Sequence, residues 1–208
     1  MRPAHLHPLP QPRHRKRWPA NRGWDCACPP RRPLYITTSF STQIFTTNHS
    51  TFYGNETVDV EIARDTRYVL IHVFEQLHVE TVSLRDANTN ATLDLERFFY
   101  FRDNEFLVVE TKETVAAGSV VQLYLQFRGL LNESIVGFYK SSYVNSLTNE
   151  TRHLATSKFE PVSARRAFPC MDEPALKAQF SVKLIHRPDT SPCPTCHPGD
   201  LIGVLGVQ

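Results

Sequence analysis

Apolar and polar residues alternate along the middle of the chain. The alternation is clearest at residues 57–62, and it recurs at 69–73, 107–109 and 121–127. A period of two is typical of half-buried strands, and Gly, Asn and Asp turn signals separate these runs. No dozen-residue window keeps an apolar stripe at helical spacing. The pattern therefore predicts an all-β domain, an antiparallel two-sheet sandwich of saddle-like form.

Composition divides the chain into three parts. Residues 1–33 hold eight of the fifteen prolines and eight basic residues against one acid. So little aliphatic surface cannot offset the entropy of ordering, so we expect this part to be disordered. Residues 187–208 are interrupted by prolines and are expected to form an irregular, disordered tail. The domain is therefore predicted at 34–186, with only a weak strand signal at 33–40 and hence one sheet edge left unpaired.

The sequence lacks the motifs that several classes of function require. No apolar run is long enough for a membrane span, and the first residues lack the apolar stretch of a secretion signal. Phosphate-binding glycine loops are absent, and no histidine is followed by glutamate, so a His-Glu-x-x-His zinc helix is excluded within these residues. His72 and His78 are interpreted as surface or cross-strand residues. Cys193 and Cys196 match the spacing of c-type haem attachment, but nothing nearby could build a haem pocket.

Asparagine-linked glycosylation motifs are more frequent than chance. Nine asparagines would give roughly 1.3 Asn-x-Ser/Thr motifs at random, and the chain has five, at Asn48, Asn55, Asn90, Asn132 and Asn149. The excess predicts an extracellular or secretory-lumen domain with sugars on its loops. Because no secretion signal is visible, we expect the chain to be an incomplete or alternatively started version of a longer secreted or membrane-anchored protein.

One segment carries a specific resemblance. Residues 159–180 resemble the signature in the N-terminal β domain of the aminopeptidase N-like zinc metallo-aminopeptidase family. The shared positions are Ala164, Arg165, Phe168, Pro169, Cys170, Asp172, Glu173, Pro174, Lys177, Ala178 and Phe180. Pieces at 53–54, 127–130 and 137–143 agree in order, so the resemblance covers about residues 50–186.

The resemblance implies a substrate-binding role for one glutamate. In the family, an acidic or amide side chain of this domain helps to bind the free amine of a peptide substrate. Glu160 occupies the matching position, and a carboxylate there would attract the ammonium group. Lys158 stands where the family has glutamine, and its positive charge would oppose the amine.

The resemblance also implies where the metal lies, and the chemistry of the remaining motif residues indicates structural roles for them. In the family, zinc is held by a following thermolysin-like domain whose motifs do not occur in this sequence, so we expect no cofactor in these residues. Asp172 and Glu173 are adjacent and are interpreted as partners of Arg165 or Arg166. These contacts would fold the loop that closes the domain, which lies within residues 159–180 and is called the closing loop below. Cys170 is expected to be a buried thiol, and Lys177 completes the structural motif.

Three functional hypotheses remain. The first is the N-terminal, substrate-side domain of a surface zinc aminopeptidase, inactive alone and meeting peptide N-termini only when a catalytic domain completes it. The second is a glycosylated β interaction module that associates with a full-length relative. The third is a nonspecific polyanion binder acting through the basic arm at 1–33; no specific nucleic-acid recognition is expected.

Overall fold

Strands account for most of the part of the chain that the structure describes. The structure is a computed structural model that describes residues 35–46, by their backbone alone, and residues 51–173 and 175–185. The strands are β1 Tyr35–Thr46, β2 Thr51–Ile62, β3 Thr66–His72, β4 His78–Asp86, β5 Thr92–Leu93, β6 Leu95–Phe101, β7 Phe106–Val115, β8 Val120–Leu130, β9 Gly137–Val144, β10 Thr151–Lys158 and β11 Gln179–Ile185. Short 3-10 turns lie at Arg102–Asn104 and Ala164–Arg166, and the described residues contain no α-helix.

The strands form two sheets and a ribbon. The larger sheet has the order β11-β1-β2-β8-β4-β5, the smaller has the order β3-β7-β6, and β9 pairs with β10 as a two-stranded ribbon. Neighbouring strands are antiparallel, apart from β1 and β11, which run parallel. The all-β antiparallel sandwich expected from the sequence is thereby confirmed, with the ribbon as an addition.

The hydrophobic core lies between the two sheets. Val58, Val60 and Ile62 of β2 are fully buried, whereas the alternate residues 57, 59 and 61 are partly or fully exposed. Strand β8 buries every second residue from Val121 to Phe127 in the same manner. The core also includes Ala164, Ala167, Phe168, Cys170 and Met171 from the segment after β10. Burial of these apolar side chains is the main favourable contribution to folding.

Two glycines make room for aromatic rings on the neighbouring strands β2 and β8. Gly54 lies opposite Phe127, and Phe52 lies opposite Gly129 in the antiparallel register. A Cβ added to either glycine would overlap the opposing ring. Each glycine therefore leaves the space that a fully buried phenylalanine occupies on the partner strand.

The opening strand differs from the expectation. The sequence at 33–40 indicated only a weak strand and an unpaired sheet edge, and this prediction is wrong. Strand β1 runs for twelve residues and pairs with β2 on one side and β11 on the other. The predicted tails at 1–33 and 187–208 lie outside the described residues. Among the residues that the structure describes, none belongs to a helix of the length and apolarity that a membrane span requires.

Candidate functional site

The predicted substrate-binding residues lie where β10 ends. Lys158 is the last residue of β10, and Glu160 follows in the next turn, joined to Pro161 by a cis peptide bond. The Ser163 amide donates a hydrogen bond of 2.7 Å to the Phe159 carbonyl and closes this turn. Both Lys158 and Glu160 are exposed. Their charged groups are therefore open to solvent and accessible to a ligand.

Arg165 is held by acceptors from two parts of the chain. Its Nε donates to Asp172 Oδ2 at 2.9 Å, one terminal nitrogen donates to the Asp172 carbonyl at 3.0 Å, and the other to Glu105 Oε2 at 2.8 Å. The Asp172 carboxylate also accepts the Arg165 amide at 3.3 Å. The Arg165 and Asp172 side chains are 10% and 2% exposed. A buried pair with this many hydrogen bonds holds the closing loop in one conformation.

Backbone hydrogen bonds attach the closing loop to the end of β3. The His72 amide donates to the Cys170 carbonyl at 3.0 Å, and the Cys170 amide returns a bond of 3.1 Å. Next to this bridge, the Phe74 amide donates to the Arg165 carbonyl at 3.0 Å. The loop therefore continues the smaller sheet beyond β3 and is an integral part of the fold.

The side chain of His72 is buried beneath this bridge. It lies against the Phe106 ring, with centroids 4.4 Å apart, and its Nε2 is 3.8 Å from Glu173 Oε1. Burial, with a smaller contribution from the positive charge of Arg165, lowers the pKa of His72 to about 4. The imidazole is therefore neutral at physiological pH. Its cross-strand position was anticipated from the sequence, but its burial was not; His78, in contrast, is exposed.

The remaining motif residues differ in burial. Cys170 is buried, as expected, and burial together with the charges of Asp172 and Glu56 raises the pKa of its thiol. A protonated buried thiol is a poor nucleophile. Lys177 is exposed. Glu173, interpreted from the sequence as a partner of the arginines, is exposed and faces His72.

Arg166 packs on Phe74 and borders the start of the ribbon. Its guanidinium carbon lies 3.8 Å from the centre of the Phe74 ring, a close cation–π contact. Gly137, which begins β9, has a φ of +81°, and a Cβ added there would lie 2.6 Å from the Arg166 Cβ. The ribbon can therefore start at this point only because residue 137 has no side chain.

Two carboxylates near Arg165 and Cys170 were not recognised from the sequence. Glu56 is fully buried on the inner face of β2, and Glu105 follows the 3-10 turn with a left-handed φ of 56°. The alternation itself contained the signal for Glu56, because residue 56 falls in phase with Val58 and Val60. Glu105 gave no signal, since its contact with Arg165 spans sixty positions of sequence.

The described residues do not fit a metal ion. No group of three or more His, Cys, Asp or Glu side chains in this part of the chain is placed to hold one. The arrangement can hold a loop rigidly and present the Glu160 carboxylate to a cationic group.

The described glycosylation motifs fall into two structural classes. Asn90 and Asn149 are exposed in hairpin turns and have φ values of 57° and 53°. Asn55 is half-buried in the middle of β2, and Asn132 is half-buried with its amide nitrogen 2.6 Å from Gln76 Oε1. Asn48 lies outside the described residues.

Comparison with known proteins agrees with these features. A family model described as the peptidase M1 N-terminal domain matches residues 34–192. Aminopeptidase M1 of Arabidopsis thaliana is 36% identical over 135 residues, 64% of this chain and 15% of the relative. Endoplasmic reticulum aminopeptidase 1 of Rattus norvegicus is 35% identical over 161 residues, 76% and 17% of the two chains. The thyrotropin-releasing hormone-degrading ectoenzyme of Homo sapiens is 34% identical over 137 residues, 66% and 12%.

These matches cover most of the chain but only a small part of each relative. The chain spans less than a fifth of the length of the three relatives, 15%, 17% and 12%. The matched residues include Glu160, the Arg165–Asp172 pair and the whole of the two sheets. The chain belongs to the peptidase M1 family, and residues 34–192 are its N-terminal domain.

Proposed function

We propose that this domain forms the substrate-side wall of a zinc aminopeptidase, in which Glu160 binds the free N-terminal ammonium group of a peptide. The observation that carries this proposal is the exposed Glu160 carboxylate at the start of a loop that the buried Arg165–Asp172 pair holds in place. A carboxylate carried on a turn that is held in place attracts a charged amine more strongly than a blocked one.

Lys158 modulates the same interaction under this proposal. It precedes Glu160 by two residues and is also exposed. Its ammonium group repels the substrate amine and so weakens the attraction that Glu160 exerts. The two residues therefore act in opposite directions on substrate affinity.

The test is a chimera in which residues 34–192 replace the matching domain of the rat endoplasmic reticulum aminopeptidase. Glu160→Gln should raise KM for an aminoacyl-anilide at least roughly tenfold, since about 1.4 kcal/mol of charge-assisted binding corresponds to that factor. Lys158→Gln should lower KM. Glu96→Gln, on the exposed strand β6, is the matched control and should leave KM unchanged.

An unchanged KM for Glu160→Gln in a folded, active chimera would contradict the role of Glu160. Equal losses with Glu96→Gln would show that the effect comes from general surface charge. Both outcomes are separable from misfolding, because the parent chimera provides the reference activity and the reference circular dichroism spectrum.

Catalysis itself is assigned to a part of the aminopeptidase outside these 208 residues. The family is zinc-dependent in general, and the described residues provide no fitting ligand group. The purified chain supplied with zinc should therefore release no more product from an aminoacyl-anilide than a chelator-treated sample. Release that chelation abolishes would contradict this assignment.

We also assign the domain to the secretory lumen or the cell exterior. The five glycosylation motifs support this location, and one relative is named an ectoenzyme and another is named for the endoplasmic reticulum. Immunolocalisation of the endogenous protein tests this assignment. Staining confined to the cytosol would contradict it.

A further inference from the structure

We propose that Asn90 and Asn149 are the glycosylated residues of the described domain, and that Asn55 and Asn132 are not. The proposal rests on a hairpin loop that occurs twice in the structure with the same backbone hydrogen bonds. In each copy the asparagine occupies the same position of a hairpin turn, and the residue that completes its motif begins the following strand.

The first copy joins β4 to β5. The Asp86 amide donates to the Ala91 carbonyl at 2.9 Å, and the Asn90 amide donates to the Asp86 carbonyl at 2.9 Å. Asp86 Oδ1 accepts the Asn88 and Thr89 amides at 2.9 and 2.8 Å. These bonds leave Asn90 at the last turn position with a left-handed φ of 57°.

The second copy joins β9 to β10 with the same bonds. The Asn145 amide donates to the Glu150 carbonyl at 2.9 Å, and the Asn149 amide donates to the Asn145 carbonyl at 2.8 Å. Asn145 Oδ1 accepts the Leu147 amide at 2.9 Å, as Asp86 does for Asn88. Asn149 has a φ of 53° and is exposed, as is Asn90.

Backbone conformation explains the asparagines but not the threonines. Asparagine tolerates the left-handed region better than other side-chain residues, so the turn alone would favour it at both positions. The turn does not require a particular residue type two positions after the asparagine. Thr92 and Thr151 nevertheless occupy those positions, as the first residues of β5 and β10. Both threonines are exposed. The complete acceptor motif therefore repeats where the backbone requires only its first residue.

The other two motifs lie in less suitable positions. Asn55 is within β2, which pairs with β1 and β8 on its two sides, and its motif includes the fully buried Glu56. Asn132 Nδ2 lies 2.6 Å from Gln76 Oε1, and the Asn132 carbonyl accepts the Lys140 amide. A sugar at Asn55 would stand on a half-buried position of a strand that is paired on both sides, and a sugar on Asn132 Nδ2 would compete with the hydrogen bond to Gln76. A sugar on an exposed turn displaces no such bond.

The modification is a transfer from a lipid-linked oligosaccharide diphosphate in the secretory lumen. The carboxamide nitrogen forms a bond to the anomeric carbon, and the bond between that carbon and the diphosphate oxygen breaks. The lipid diphosphate leaves with the bonding electrons, and the nitrogen gives up one proton to a base of the transferase. No oxidation or reduction takes place.

The test expresses the chain in mammalian cells behind a cleavable secretion signal. Trypsin separates Asn90, Asn132 and Asn149 into the peptides 86–97, 129–140 and 141–152. Asn55 falls with Asn48 in the peptide 32–64, in which fragment ions distinguish the two asparagines. Release of glycans by peptide N-glycosidase in water labelled with heavy oxygen converts each modified asparagine to a heavy aspartate. Mass spectrometry should find this label at Asn90 and Asn149, with occupancy several-fold above that at Asn55 and Asn132.

Matched variants separate the motif from the turn. Thr92→Ala and Thr151→Ala should each remove one glycan-sized step of gel mobility, while Thr92→Ser and Thr151→Ser should retain it. All four variants keep the asparagine, so the turn is unchanged. Both the secreted and the intracellular lumenal fractions are analysed, so that a variant that folds poorly still gives a result. Unmodified Asn90 or Asn149, or equal occupancy at all four residues, would overturn the proposal.

Discussion

At the scale of single residues, the Arg165–Asp172 pair is a buried ionic contact whose loss should strongly destabilise the domain. Arg165→Met should lower the free energy of unfolding by about 3–5 kcal/mol, because it leaves the Asp172 carboxylate buried without its main counter-charge. Urea denaturation monitored by circular dichroism measures this change. Arg152→Met is the control, since Arg152 is 55% exposed and lies 3.8 Å from Glu150, and it should cost less than about 1 kcal/mol. Equal losses would show that the buried pair is not special.

His72 makes the stability of the domain depend on pH. Its pKa is about 4 in the folded state and about 6.5 in an unfolded chain. Between pH 6.5 and about 4, His72 is protonated in the unfolded state but remains neutral in the folded state. The free energy of unfolding should therefore fall as the pH decreases from 6.5 to about 4, by about 3 kcal/mol in total. Urea titrations at a series of pH values provide the measurement.

The variant that isolates this effect is His72→Phe, which removes the titration and keeps an aromatic ring beside Phe106. Arg165, Glu173 and the backbone of Cys170 surround the imidazole and are unchanged in the variant. Acidic residues elsewhere contribute equally to both proteins, so the difference between the two pH profiles reports His72. Parallel profiles between pH 7 and 4 would contradict the assignment.

Sequence pattern predicted the residues whose role is set by their strand neighbours. The buried positions of β2 and β8 follow from alternation alone, because a strand turns every second side chain to the core. Glu56 follows the same alternation and is therefore on the buried face of β2. Because carboxylates are rarely buried, the sequence pattern alone would place its side chain on the exposed face. The burial of His72 was missed for a different reason: the residue that bridges to it, Cys170, is nearly a hundred positions away in the sequence.

At the scale of elements, the sequence predicted strands better than their pairing. The parallel contact between β1 and β11 joins the two ends of the domain, and no local signal reveals it. Strand β1 is rich in serine and threonine, so its apolar alternation is weak, and its length is apparent only with β2 and β11 beside it. The edge that the sequence left unpaired is therefore filled by residues from the far end of the domain.

The glycine–phenylalanine pairs of β2 and β8 make an element-scale prediction. Gly54→Ala should destabilise the domain by about 1–3 kcal/mol, because the added methyl group overlaps the Phe127 ring. In a Phe127→Leu background the same substitution should cost less, since the smaller side chain leaves room. Gly129→Ala is the matched control, because Gly129 meets Phe52 and should gain no relief from Phe127→Leu. A double-mutant cycle by urea denaturation measures the coupling.

At the scale of the whole molecule, the β9–β10 ribbon presents an exposed apolar surface. Phe138 anchors the base of the ribbon against Phe52, with ring centroids 5.2 Å apart. Farther along, Tyr143 and Leu154 share one face and are 51% and 39% exposed, and Leu147 at the tip is 93% exposed. An exposed apolar surface of this kind favours association with another protein surface. We therefore expect the ribbon to act as a contact surface.

The isolated chain, produced without glycans, should therefore self-associate through this face in concentrated solution. Replacing Tyr143 and Leu154 together by lysine should shift the protein toward the monomer, because two charges on the shared face oppose its burial against another copy. Ser142→Lys combined with Ser157→Lys places the same charges on the opposite face of the ribbon and should leave association unchanged. Sedimentation velocity over a range of concentrations distinguishes the three proteins. A parent chain that stays monomeric throughout, or equal dissociation by both double variants, would show that this face does not drive association.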